Sequence, residues 1–300
     1  MPALSRPDIQ SFLDYLKYEK RYSHHTIISY ETDLRDFVDH LDRHYGNLKL
    51  KEINHPIVRG WLAGLKEQRL TSKSVNRKIS TLRSFFKYQL RTGILEISPM
   101  TNVIAPKNSK RLPVFIKEQE TKELIKTLSG VTEDWKTLNA KMLIVLLYNT
   151  GMRISELINL RERQLDFGRL QIKVLGKGNK ERIIPVSRDL VNNIEDYRRL
   201  KKKEFGKAED VLLVTEKGKR LYPKYAYLLV RKHLGESSTL DKKSPHVLRH
   251  TFAKHLMNGG ADLNAVKELL GHSSLASTQV YTHNSIEQLK NVYKKAHPKA

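Results

Sequence analysis

The residues with the most demanding chemistry lie close together near the C-terminal end: His246, Arg249, His272 and Tyr281, all within Ser244–His283. His246 and Arg249 are three apart, so a helix would put both on one face and aim them at one target. Gly259-Gly260 and Gly271 break the stretch into short helices, which lets polar groups converge from several elements. Cationic side chains, imidazole and a phenol together suit a phosphate diester.

Two upstream stretches offer further cations. Arg153 follows Gly151 after a strongly apolar run, and a guanidinium beside a core needs a partner. Glu156, three residues on, is placed to hold it, although a plain surface ion pair accounts for the same two residues. GKGNK presents Lys177 and Lys180 on a turn. A phosphate-binding P-loop would end in Gly-Lys-Ser/Thr and run into a helix, whereas Glu181 and a β-rich run follow here; a dinucleotide fingerprint lacks its third glycine. The turn serves either to reach a groove or as a basic surface loop. His246, His250, His255, His272 and His283 raise a zinc site, but H-E-x-x-H is absent and Arg249 would set a cation beside the metal. No metal is expected, and His250, His255 and His283 read as structural or exposed.

Composition points to a polyanionic partner. Lys and Arg total 55 against 32 Asp and Glu, a formal charge of +23. The absence of cysteine excludes thiolate nucleophiles, disulfides and thiolate metal sites. No apolar run approaches the roughly 20 residues of a membrane helix, and MPALSRPDIQ has no apolar signal core, so no membrane insertion and a cytoplasmic location are expected.

Three hundred residues suggest about two domains. Residues 1–105 read as an all-α bundle of four helices: Ile9–Tyr18, Ser23 to about Leu41, Asn54-Pro56 to Leu65, and Thr71 to Leu90, with Ser23 and Asn54 at helix starts. Residues 1–60 carry no net charge, but Lys66–Arg91 holds eight basic residues and one acid. Lys73, Arg77, Lys78, Arg83 and Lys87, interspersed with Ser and Asn, form a cationic helix face suited to DNA phosphates. Proline and basic residues mark 106–113 as a linker. Residues 114–300 read as mostly helical α+β: a helix near Lys117–Leu128, a buried one at Leu138–Tyr148, a hairpin of Leu170–Leu175 and Arg182–Val186 making a small antiparallel sheet, a helix at Asp189–Lys203, a strand at Val211–Thr215 and a helix at Pro223–Leu234. Lys201–Lys203 reads as a solvated helix end. A helix–turn–helix regulator built on Asn258–Tyr281 would explain the charge without the clustered phenol, arginines and histidines.

Arg153 in TGMRISEL, Lys177 in GKGNKER, His246 and Arg249 in PHVLRHTFA, His272 in LLGH and Tyr281 in TQVYTH together resemble the active site of the tyrosine recombinases. The wording is nearest to the Xer branch, the site-specific recombinases that resolve chromosome dimers. The resemblance covers the whole chain and implies a SAM-like core-binding domain, then a catalytic domain. Tyr281 would attack a DNA phosphate to give a 3′-phosphotyrosyl link, conserving bond energy without a cofactor. Arg153 and Arg249 would clamp the phosphate, His272 would add a hydrogen bond, Lys177 would protonate the leaving 5′-oxygen, and His246 would assist proton transfer at the tyrosine. Glu156 would orient Arg153. Lys180 joins the expected DNA contacts. The expected assembly is a homo- or hetero-tetramer on two duplexes, with about 285–296 as an exchange helix docking on a neighbour and a septal DNA translocase as a partner. Mobile-element integrases and transposases share this catalytic set.

Overall fold

The computed structural model describes residues 6–107, 115–129, 134–176, 181–206, 209–237, 244–271 and 283–298. The chain divides into two compact units, Met1–Arg111 and Leu112–Ala300.

Among its described residues the first unit has helices and turns but no strand. Its helices are α1 (Pro7–Asp14), α2 (His24–Tyr45), α3 (His55–Glu67) and α4 (Ser72–Arg91). Three of them start where a short polar side chain takes an otherwise orphaned amide: Ser23 accepts from Thr26 N, Asn54 from Ile57 N and Thr71 from Ser74 N. The expected first helix runs on past α1 as a π turn over Tyr15–Glu19, with Lys20 N donating to Tyr15 O. Leu16 is still buried beside Phe12, so the apolar spacing survives the change of pitch. Phe12, Leu34, Phe37, Val58, Trp61, Ile79, Leu82 and Phe86 form the core.

The second unit packs around α6 (Trp135–Thr150), which follows α5 (Glu118–Ser129). From Met142 to Thr150 every residue of α6 is buried, as a helix apolar on all sides requires. A one-turn helix α7 (Ile154–Leu157) leads to a three-stranded antiparallel sheet of β1 (Leu165–Asp166), β2 (Gln171–Leu175) and β3 (Glu181–Pro185) in that order. The hairpin matches expectation, with Ile172 opposite Ile184 and Val174 opposite Arg182; β1 is an addition too short to leave a periodic signal. Helices α8 (Arg188–Phe205), α9 (Pro223–Ser237), α10 (Pro245–Asn258), α11 (Leu263–Leu270) and α12 (His283–Ala296) complete the unit.

Two expectations are corrected here. Val211–Thr215 is not a strand and keeps only the bridge between Val214 and Arg220. Its backbone is spent elsewhere: Leu212 N donates to Leu160 O, while Val214 O accepts from Trp135 Nε1 and Asn139 Nδ2. Lys201 is not a solvated helix end. It is buried, with its ammonium donating to Glu162 at 2.8 Å and to Glu209 O at 3.2 Å.

Candidate active site

The site is assembled where two helices end. Gly151 closes α6 at φ +60, a left-handed conformation that glycine adopts without strain. A Cβ there would also lie 2.4 Å from Phe252 Cδ1, so both conformation and space require glycine. The chain then turns so that Arg153 caps α7. Glu156 reaches back across that turn, accepting from Arg153 N at 2.8 Å and from Arg153 Nη1 at 2.8 Å. Gly271 closes α11 in the same left-handed way, at φ +66.

The last carbonyls of α11 have no partner inside their own helix, and that end of the helix dipole favours cations. Three arginines meet them. Arg182 Nε donates to Leu269 O at 2.9 Å, Arg249 Nη2 to Leu270 O at 2.6 Å, and Arg153 Nη2 to Gly271 O at a longer 3.4 Å. Arg249 also donates from Nη1 to Gly151 O at 2.6 Å, which ties the end of α11 to the end of α6. Arg182 places its other two nitrogens on Glu156, Nη1 on Oε1 at 3.0 Å and Nη2 on Oε2 at 2.8 Å. Five elements, α6, α7, β3, α10 and α11, are thus joined through side chains and four backbone carbonyls.

The electrostatics follow from this crowding. Burial, then the charge of Arg153, lowers the Arg249 guanidinium to about 10. Burial alone would raise the Glu156 carboxyl, but the hydrogen bond and charge of Arg182, with the bonds from Arg153, outweigh it and hold it below its ordinary value. Three guanidiniums face one carboxylate, an excess of two positive charges. Such an excess suits an anion that carries or gains two negative charges.

Arg153, Glu156 and Arg249 therefore come together. His246 lies in the first turn of α10 and is exposed, while Arg249 one turn later is only 7 % exposed, so the helix gives the two very different surroundings. His250 is exposed, and its imidazole is lowered by burial first, then by His246 and Arg249. His255 is structural: Tyr148 Oη lies 3.1 Å from its Nδ1 and Ile116 O lies 3.0 Å from its Nε2. Lys177, Lys180, His272 and Tyr281 lie outside the described residues, as do the side chain of His283 and most of the linker.

Arg182 was not among the expected site residues. GKGNKER gives it no more prominence than its basic neighbours. Strand alternation carries the signal: residue 182 shares the buried face of β3 with Ile184, and an arginine on such a face demands partners. The backbone acceptors at 269–271 leave no side-chain pattern at all.

In the first unit, Lys78 is corrected as a DNA contact. It is buried, donating to Asp33 Oδ1 at 3.1 Å and to Asp36. Arg77 pairs with Asp33 at 2.8 Å and keeps nearly half its side chain exposed. Arg83 donates to Val103 O at 2.6 Å. Lys73 and Lys87 are exposed. The exchange-helix expectation assigns α12 to a neighbour. Here its Leu289, Tyr293 and Ala296 pack on Phe252, Leu256, Val266, Leu269 and Leu270 of the same unit.

Residues 114–288 match the phage integrase family, and residues 9–93 match the phage integrase N-terminal SAM-like domain. Tyrosine recombinase XerC of Staphylococcus aureus (strain MSSA476) is 38 % identical over 291 residues, covering 97 % of this chain and 96 % of the relative. Among solved structures, the XerH site-specific recombinase in a post-cleavage complex with palindromic difH substrate is similar with a TM-score of 0.69 and 22 % identity, over 94 % of this chain and 83 % of that one. The Tn1549 transposon integrase in complex with circular intermediate DNA gives a TM-score of 0.71 and 20 % identity, over 95 % of this chain and 99 % of that one. These two likenesses establish the fold, a helical SAM-like unit followed by a mostly helical unit with a small sheet. The family matches and the 38 % identical relative show that the chain belongs to the phage integrase family, among its Xer-type tyrosine recombinases.

Proposed function

We propose that the chain exchanges DNA strands through a 3′-phosphotyrosyl intermediate on Tyr281 and thereby resolves chromosome dimers. The observation that carries this is the convergence of Arg153 and Arg249 on the terminus of α11, one residue before His272. Tyr281 Oη attacks the scissile phosphorus, and the 5′-oxygen leaves. Arg153 and Arg249 neutralise the non-bridging oxygens, and His272 adds a hydrogen bond to the same phosphate. Lys177 gives the leaving oxygen its proton, and His246 assists proton transfer at the tyrosine. Since the phosphotyrosyl link conserves the energy of the diester, the 5′-hydroxyl of a partner strand reverses the step with neither nucleotide nor metal required.

DNA is held by Lys73, Arg77, Arg83 and Lys87 of the first unit and by Lys180, next before β3 in the chain. Four protomers, of one kind or two, act on two duplexes, α12 leaving its seat on its own unit to dock on a neighbour. A septal DNA translocase is the proposed activator. The full-length likeness to XerC supports the chromosomal role over that of a mobile-element integrase. A helix–turn–helix regulator would give no reason for three arginines on one helix terminus.

The test is a nicked suicide duplex built from a sequence selected for tight binding, with covalent complexes read on a denaturing gel. The wild-type chain is expected to form one and Tyr281→Phe none. A verified binding duplex that yields no covalent complex refutes the reading.

A further inference from the structure

Arg182 is engaged within the protein at all three guanidinium nitrogens. Its side chain is 4 % exposed, and Nε, Nη1 and Nη2 all donate within the protein, to Leu269 O, Glu156 Oε1 and Glu156 Oε2. Space is kept for it: a Cβ on Gly271 would lie 3.2 Å from Arg182 Cδ and Nη1. The carboxylate it grips is the one that holds Arg153, and the carbonyl it holds is next in the chain to the acceptor of Arg249. A guanidinium so enclosed makes no direct contact with DNA.

We infer that Arg182 is a positioning residue for strand cleavage, fixing Glu156 and the end of α11 so that Arg153 and Arg249 keep one mutual geometry. This rests on the recombinase reading above. Energetics favour position over stability as the reason for the residue, because a buried ion pair contributes little net stability relative to apolar side chains of similar volume. Arginine suits the geometry: a bidentate grip on a carboxylate plus a third donor turned to a carbonyl needs a rigid fork, whereas an ammonium presents its three donors from one nitrogen. Arg182 is the second residue of β3, so it links the sheet directly to the arginine cluster.

Glu156 supplies the diagnostic readout. The charged groups facing it are Arg153 from the start of α7, Arg182 from β3 and Arg249 from α10. Burial pushes its carboxyl up, and Arg182 is the foremost group opposing that. Without Arg182, Glu156 takes up a proton at higher pH and releases Arg153.

The experiment compares full-length wild type, Arg182→Met, Arg182→Lys, Glu156→Gln and the double variant Arg182→Met/Glu156→Gln. Single-turnover cleavage of the suicide duplex is measured from pH 5.5 to 8.5, with DNA affinity and melting temperature recorded alongside. Arg182→Met and Arg182→Lys are expected to bind DNA within about threefold of wild type. They should cleave about tenfold or more slowly near pH 6, the scale of a small misplacement of a catalytic group. Their rates should climb towards wild type as pH rises, and the double variant should lose that climb. Should Arg182→Met fail to fold, Arg182→Lys carries the same comparison against Glu156→Gln. Wild-type rates in both arginine variants overturn the inference. So does a loss that tracks the folded fraction with an unchanged pH profile. If the wild-type chain forms no Tyr281-dependent complex, the recombinase reading falls and this inference with it.

Discussion

Arg249 spends two of its donors on backbone carbonyls, Gly151 O and Leu270 O, before any substrate is present. That fixes the plane of the guanidinium, so little side-chain freedom is left to lose when a phosphate arrives. The residue types of this cluster were legible in the sequence, because Arg153, Glu156 and Arg249 sit in short, distinctive contexts. Their acceptors were not, since a carbonyl belongs to every residue. Lys78 shows the opposite failure. A run of cations on α4 looks uniform in sequence, yet Asp33 from α2 takes Arg77 and Lys78 together, with Thr81 donating to it at 3.0 Å. Lys78→Met is therefore expected to destabilise the chain by about 3 kcal/mol, the scale of removing one partner from a buried ion pair. Urea denaturation measures this, while the salt dependence of DNA affinity should stay as in wild type. A lower salt slope with unchanged stability would return Lys78 to the DNA surface.

Helix ends decided most of what could be read at the next scale. Ser23, Asn54 and Thr71 all cap helices near the positions their chemistry indicates, and the apolar run before Gly151 is the buried α6. Val211–Thr215 failed because β propensity registers a pleated, half-buried surface, and this segment meets side chains and a loop carbonyl in place of a neighbouring strand. At this scale Gly151 is the sensitive point. Gly151→Ala adds left-handed strain and drives a methyl into Phe252 and Leu270, so a loss of more than about 2 kcal/mol is expected. Thermal melting checks the stability. Single-turnover cleavage should fall further than the folded fraction, because the displaced backbone carries an acceptor of Arg249. Equal losses in the two measurements would show that the turn serves packing only.

Across the described residues, three histidines contribute to the response to acid. His40, His250 and His255 are all lowered from 6.5, in each case by burial first. The unfolded chain therefore binds protons before the folded one as pH falls below 6.5, so stability is full above that value and declines beneath it. Glu156 and Glu162, both held low by buried cations, extend the decline further into acid. The expected outcome is a lower melting temperature at pH 5.5 than at pH 7.5; an equal or higher one contradicts it. Charge and composition announced a polyanion-binding chain of two parts, but they could not show how the ends of the second part are secured. Ile116 N donates to Thr251 Oγ1 and Ile116 O meets His255, while His297 Nε2 lies 3.3 Å from Tyr148 O and its ring stacks on Tyr293. Phe115 and Pro298 line one small cavity between them. Phe115 and Pro298, the first and last described residues of this unit, therefore face one cavity, which is the geometry circular permutation needs. A short linker from Pro298 to Phe115, with new termini opened at the exposed turn between Lys217 and Gly218, gives up the bonds of that turn and leaves the arginine cluster's own contacts in place. Chain order and site geometry are separable in this unit.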